Sequence, residues 1–224
     1  MQCYLVRHGQ SEGNIDQPAP DDPRLTALGE RQAASIIKTL RETEATTLYA
    51  SAMTRALQTA QPTSRALGLP VHVWPDIVET SRRHWNEPVT TEPKLGLTVA
   101  EAQQGFDNVR SIDDSPQDVN WWKAIARERR ADAYRRAKQV LRHLGEQHGE
   151  EASVILIGHA AFGSVLLSSA LRTPPSDFNR YCFYNCSVTR LDCVDGEWAL
   201  RYLNASGHLP ADCRTPSHDR LGFQ

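Results

Sequence analysis

Two short stretches constrain what this chain can fold into more than any other feature. Near its start, Tyr4, Leu5 and Val6 form an apolar run that leads straight into Arg7-His8-Gly9. Far downstream, residues 153–157 are almost purely apolar and lead into Gly158-His159-Ala160. Short runs without polar alternation fit strands buried on both faces, as inside a parallel sheet covered by helices. In open α/β folds a ligand sits outside the carboxyl ends of the strands, at a switch point. Histidines ending two parallel strands could therefore face one another across a single site.

The first of these junctions is rich in usable groups. Arg7 offers a forked guanidinium suited to phosphate. His8 offers an imidazole that can serve as nucleophile, base or ligand. Gly9 lets backbone come close to a bound group. Ser11 and Asn14 add neutral hydrogen-bonding groups, or shape the turn.

The rest of the chain supplies elements around these strands. Residues 15–24 carry prolines and aspartates and read as a loop beside the site. Thr26 is expected to cap a helix reaching about Glu42, with Ala33, Ile36, Ile37 and Leu40 on one face. A short strand at 47–50 leads to Ser51, read as the cap of a helix with Arg55 in its first turn. A helix start attracts anions through its free N–H groups and dipole. Pro62 is expected to kink or end that helix. Residues 71–74 read as another strand. Residues 86–120 look polar and loop-rich, apart from a short helix opened by a Thr98/Glu101 capping box. Ser115-Pro116 with Asp118 starts a largely helical stretch to Leu144, broken near Arg130 and stopped by Gly145. Its second half puts Ala133, Ala137, Val140, Leu141 and Leu144 on one face. Trp121 and Trp122 read as core or lid-packing aromatics. After a helix at 162–171, Asp195-Gly196 joins strands at 187–193 and 197–203 into a hairpin.

Composition narrows the class. The net charge is -2, with no basic excess for a nucleic-acid partner. No apolar run approaches the ~20 residues that span a bilayer, so no membrane partner is expected. The chain enters a strand without a charged-then-apolar leader, and its five cysteines are an odd number. Reduced thiols and a cytoplasmic location are expected. Cys182, Cys186 and Cys193 lie close together but lack C-x-x-C spacing, and no metal site is expected.

The Arg7-His8-Gly9 string, with its preceding strand and with Ser11 and Asn14, resembles the signature of the histidine phosphatase superfamily, which includes the phosphoglycerate mutases. The L-T-x-x-G-x-x-Q-A string (residues 25–33) and S-x-x-x-R-A-x-Q-T-A (residues 51–60) are similar to that family as well. So are Val78-Glu79, Gly158-His159, the Asn-x-Ser-Val-Thr string from Asn185 and the ending from Leu203 to Leu209. The resemblance covers most of residues 1–75 and 130–210. It implies a three-layer α/β/α sandwich with a mostly parallel central sheet and an antiparallel C-terminal edge strand. A helical and loop insertion would lie over the active site. The whole chain, 1–224, is read as one domain, with 80–130 as the inserted cap and 210–224 as a loose tail.

The same resemblance implies the roles. His8 takes the phosphoryl group, its other ring nitrogen donating to a backbone carbonyl. Arg7 and Arg55 grip the non-bridging oxygens, and Ser11, Asn14 and the N–H of Ala160 add phosphate contacts. His159, if protonated, adds positive charge. Glu79 protonates the leaving oxygen and later deprotonates the attacking water; Asp76 and Glu87 stand nearby as substitutes. Arg82 and Arg83 are candidate contacts for a second anionic group on the substrate, or part of a solvated face. No cofactor is expected. The expected activity is hydrolysis of small phosphorylated metabolites through phosphohistidine. A mutase is the runner-up, disfavoured because the mutase string Glu-Arg-His-Tyr-Gly is absent. A non-catalytic phosphate-binding or interaction module is the third reading. A homodimer is compatible with the sequence but not required by it.

Overall fold

A computed structural model of the chain describes residues 1–15, 20–80, 94–112, 120–174 and 180–215. The first apolar run becomes β1 (Gln2–Arg7) and the second becomes β5 (Ser153–Gly158). They are direct neighbours, parallel, with Arg7 level with Gly158. On the other side of β5 lies β2 (Thr47–Ala50), also parallel, with Ala50 level with Ile157. β3 (Val71–Val73) and β4 (Val109–Ser111) continue the parallel part. β6 (Val188–Val194) runs antiparallel to β1 and pairs with β7 (Glu197–Ala205). The order across the described sheet is β4-β3-β2-β5-β1-β6-β7.

Burial of both sheet faces explains the unbroken apolar runs. Tyr4, Val6, Ile155 and Ile157 pack into one core with Leu40 and Leu57, whereas Leu5, Val154 and Leu156 pack into the other with Val140 and Leu166. The first layer comprises α2 (Ala27–Ser35), α3 (Ile37–Arg41) and α4 (Thr54–Leu67). The second comprises α7 (Arg130–Gln147) and α8 (Ala160–Ala170). Together they make the expected α/β/α sandwich. Each side chain of this size, fully buried, contributes roughly 1.5–3 kcal/mol.

Several local expectations change in the structure. The helix from Thr26 is loosened at Ile36, yet Ile36 N–H still reaches the Gln32 carbonyl and Leu40 N–H the Ile36 carbonyl. Pro62 does not end α4; buried Leu57, Ala60 and Thr63 hold the helix to the sheet on both sides of it. Ser51 is not the cap of α4. Met53 occupies that position, and the carboxylate of Asp22 accepts from the Thr54 N–H at 3.1 Å. The long helical stretch breaks between α6 (Trp122–Ala126) and α7, as expected near Arg130, but Gly145 stays inside α7. The hairpin turn has Asp195 and Gly196 both at positive φ, the two-residue geometry that suits the twist of antiparallel strands.

Within residues 80–130, α5 (Val99–Gly105) carries the expected Thr98/Glu101 capping box. β4 was not expected; it adds to the sheet beside β3 rather than lying over it. Trp121 and Trp122 are buried and meet edge to face, with the Trp121 indole N–H donating to the Leu97 carbonyl. Nor is the start of the tail loose. Cys213 and Thr215 are buried, and the Cys213 carbonyl accepts from Gln32 Nε2 at 2.6 Å. Among the described residues, no helix is long and apolar enough to cross a membrane.

Candidate active site

Three adjacent strand ends deliver the central groups: Ser51 after β2, His159 after β5 and His8 after β1. The two imidazole rings lie with centroids 5.1 Å apart, tilted by 56°. Both are buried. This is the juxtaposition expected of the two strand-histidine junctions.

The hydrogen bonds of His8 define its tautomer. Nδ1 lies 2.7 Å from the Gly9 carbonyl oxygen, which can only accept, so Nδ1 carries the proton. Nε2 is then the lone-pair nitrogen, and Arg55 Nε–H donates to it at 3.2 Å. Burial, reinforced by Arg55 and Arg7, holds the ring well below its ordinary pKa. His8 is thus a neutral imidazole with a directed lone pair. Its backbone is equally fixed: its N–H donates to the Gly158 carbonyl and its carbonyl accepts from Asn185 Nδ2 at 3.0 Å.

Gly9 has a structural duty beyond the one read from the sequence. A Cβ there would stand 2.5 Å from the Gly29 carbonyl oxygen, and one at Gly29 would stand 2.0 Å from the Gln10 carbonyl oxygen. Backbone meets backbone at this point, so only glycines let α2 press against the His8 turn. Gly9 N–H donates to Thr59 Oγ1, which itself donates to the Arg55 carbonyl. Thr59 therefore links the His8 turn to the helix that carries Arg55.

Arg55 is buried at the start of α4, its Nη1 4.0 Å from Asp22. Burial lowers its pKa, while the charges of Glu79 and Asp22 oppose that shift. Burial in turn raises Asp22, against its bonds to Thr54. Arg7, at the end of β1, donates through Nη1 to the Phe183 carbonyl at 2.6 Å. Ser11 and Asn14 bond one another, Asn14 Oδ1 accepting from the Ser11 N–H and from Asn185 Nδ2.

His159 sits differently. Its Nε2 shares a 2.7 Å hydrogen bond with Ser51 Oγ. Burial first, then Arg55, His8 and Arg7, hold it well below its ordinary pKa. Burial and these neighbours thus disfavour the protonated form on which a positive His159 depends, and a bound dianion would supply the opposing charge. Glu79 follows the 3-10 turn Pro75–Ile77 and caps α8. Its Oε1 accepts from the N–H of Phe162 at 2.8 Å and of Thr80 at 3.0 Å, and its Oε2 from Ala161 at 3.3 Å. Ala160 opens the same helix.

The structure thus gathers Arg7, His8, Ser11, Asn14, Arg55, Glu79, His159 and Ala160 around the carboxyl edge of β1, β5 and β2. Arg82, Arg83 and Glu87 lie outside the described residues. Asp76 is exposed and offers its carbonyl to Arg136. Sequence reasoning missed Asp22, Thr59, Asn185 and the role of Ser51 as the partner of His159. Asn185 stood inside a noticed string, yet nothing local says that it reaches the His8 carbonyl.

Comparison with known proteins decides the family. A family model described as histidine phosphatase superfamily (branch 1) matches residues 3–206. This chain belongs to the histidine phosphatase superfamily. A probable phosphoglycerate mutase GpmB of Yersinia enterocolitica is 28% identical over 235 residues, covering 99% of each chain. Its namesake in Escherichia fergusonii is 24% identical and covers 88% of this chain and 87% of its own. Among solved structures, a phosphoserine phosphatase mutant from Entamoeba histolytica in complex with phosphoserine matches with TM-score 0.67. It is 20% identical and covers 93% of this chain and 99% of its own. A mycobacterial glucosyl-3-phosphoglycerate phosphatase in complex with VO3 matches with TM-score 0.66 and 24% identity, over 92% of this chain and 99% of its own. At such identities the structures speak for the histidine phosphatase fold, not for a substrate.

Proposed function

We propose that this member of the histidine phosphatase superfamily is a phosphomonoesterase acting on small phosphorylated metabolites through a phosphohistidine. The observation that carries this is the tautomer of His8, a neutral ring whose lone-pair nitrogen Nε2 accepts from Arg55 and whose centroid lies 5.1 Å from that of His159. In the reaction, the substrate dianion draws the Arg55 N–H away from Nε2 onto a non-bridging oxygen, freeing the lone pair. Arg7, Ser11, Asn14 and the Ala160 N–H complete the grip. Nε2 then attacks phosphorus in line as the ester P–O bond breaks. Glu79 gives the leaving oxygen its proton, then takes one from a water that attacks phosphorus as the N–P bond breaks and its electron pair returns to Nε2. Inorganic phosphate leaves and His8 returns to its starting form. Glu79 suits this exchange because its three amide partners orient the carboxyl while leaving Oε2 with spare acceptor capacity.

This reading needs no cofactor, and activity is expected to survive a strong chelator. The names of the curated relatives favour phosphoglycerate mutase activity as a second reading. Against it stands the absence of the Glu-Arg-His-Tyr-Gly string. A mutase must keep its phosphoenzyme from water. Retention of His8, Arg7, Arg55, His159 and an acid in one site argues against a non-catalytic module. The test is turnover of a panel of phosphorylated metabolites and an aryl phosphate, with 3-phosphoglycerate followed for isomerisation. Release of free phosphate, lost in His8→Ala, is the expected outcome. Isomerisation without phosphate release would favour the mutase, and unchanged turnover in His8→Ala would remove the nucleophile.

A further inference from the structure

The buried face of α7 carries one residue that does not belong on an apolar stripe. Arg136 lies on the stripe between Ala133 and Val140 and is buried. It is paired with Glu128, also buried, by a fork of two bonds: Nε to Oε1 at 2.7 Å and Nη2 to Oε2 at 2.8 Å. Removing two charges from water costs several kcal/mol per ion, and a well-packed apolar pair is often as stable. The pair's effect on folding alone therefore does not account for it.

The remaining donors of Arg136 supply the account. Nη1 donates to the Asp76 carbonyl at 2.7 Å and to the Val78 carbonyl at 2.9 Å. These carbonyls belong to the turn that leads directly into Glu79. The guanidinium also lies over the ring of Phe162, its central carbon 4.1 Å from the centroid. Phe162 provides the N–H that makes the shortest bond to the Glu79 carboxylate. One side chain thus braces both the segment that delivers Glu79 and the residue that orients its carboxyl. Glu128, in the link between α6 and α7, fixes the plane of the fork.

We propose that the buried Arg136–Glu128 pair is the positioning device for Glu79, setting the acid's reach toward the leaving oxygen. This rests on the phosphatase reading above, with Glu79 as the proton donor. The bonds and ring contact of Arg136 go to Glu128, the Asp76 and Val78 carbonyls and Phe162, not to His8 or His159, so its proposed route of action is through Glu79. A planar fork is required, because an ammonium cannot hold a carboxylate and two carbonyls in one plane.

The experiment compares two esters: 2,4-dinitrophenyl phosphate, whose leaving group departs without a proton, and phenyl phosphate, whose leaving group needs one. In Arg136→Lys, kcat/KM for phenyl phosphate is expected to fall about 100-fold more than for the dinitrophenyl ester, the low end of general-acid contributions. Glu79→Gln should show the same selectivity, and combining the two should add no further selective loss. If Arg136→Lys fails to fold, the paired variant Arg136→Met/Glu128→Leu, which leaves no buried charge unmatched, is measured instead. Equal losses on both esters, or none on either, would overturn the proposal. The underlying reading fails separately, and takes this proposal with it, if the wild type hydrolyses neither ester or if His8→Ala still turns over the dinitrophenyl ester.

Discussion

The two strand-histidine junctions start from nearly the same sequence pattern and end as different devices. At the first, β1 gives way to a turn and the short helix α1 (Glu12–Ile15), which buries no side chain. The His8 ring is held at both nitrogens, by the Gly9 carbonyl and by Arg55. At the second, β5 gives way to α8, buried along nearly its whole length and capped by Glu79. There His159 is held at Nε2 by Ser51, and its Nδ1 meets no partner among the described residues. Under the proposed mechanism, a side-chain donor on the lone pair, unlike a backbone one, can be exchanged for a substrate oxygen when Nε2 attacks. A buried helix suits the role proposed for His159, a ring that stands beside the phosphoryl group without reacting. Similar local sequence therefore yields two different ring environments, divided by what tertiary contacts reach each ring.

Exchanging or deleting parts of each junction tests this division. The largest effect is expected at the first: His8→Ala should lower kcat roughly 10⁴-fold or more, the scale of deleting a covalent nucleophile. His159→Ala should cost about 10²- to 10³-fold, as for loss of one transition-state stabiliser. Comparable losses in the two variants, measured by steady-state phosphate release, would erase the distinction.

Stability should separate the junctions too. Gly29→Ala forces a Cβ to 2.0 Å from backbone at the His8 turn, whereas Gly163→Ala in α8 meets only the Phe183 side chain, at 3.1 Å. The first should destabilise by about 1–3 kcal/mol in chemical denaturation, and the second by less. Ser51→Ala frees the His159 ring, and an activity loss of about 3- to 10-fold is expected, the value of one neutral hydrogen bond. No loss would make Ser51 a bystander.

The smallest effect concerns pH. The folded protein keeps His8 and His159 neutral well below the ordinary 6.5. Below that value the unfolded chain binds protons that the folded chain refuses, so stability falls as pH drops through it. His72, His148 and His208 shift the same way, and His8 remains in the variant, so the share of His159 is the difference between wild type and His159→Asn. Between about pH 7.5 and about pH 5.5 the wild type should lose more melting temperature than the variant. Inorganic phosphate should reduce the wild-type loss.

What the sequence reveals follows the range of the interactions involved. β1 and β5 are legible because burial on both faces writes an unbroken apolar run, and their histidines follow immediately. The Thr98/Glu101 cap and the Asp195-Gly196 turn are legible because each is closed within a few residues. β4 is not, since half-buried Val109 and Ser111 around exposed Arg110 are too short a run to mark a strand, and owe it to β3. Thr59, Asn185 and Asp22 serve the site through partners 32 to 177 positions away, and no local pattern marks them. Arg136 did leave a trace: a charge on the apolar stripe of α7 that needs a buried partner.

The most direct measurement is the capture of the phosphoenzyme. Wild-type protein mixed with an aryl phosphate is quenched in alkali within its first turnovers, digested, and mapped by mass spectrometry. An alkali-stable, acid-labile phosphoryl group on His8 Nε2, absent from His8→Ala, is the expected result. Turnover with no labelled histidine, or with the label on another residue, would contradict the role given to His8.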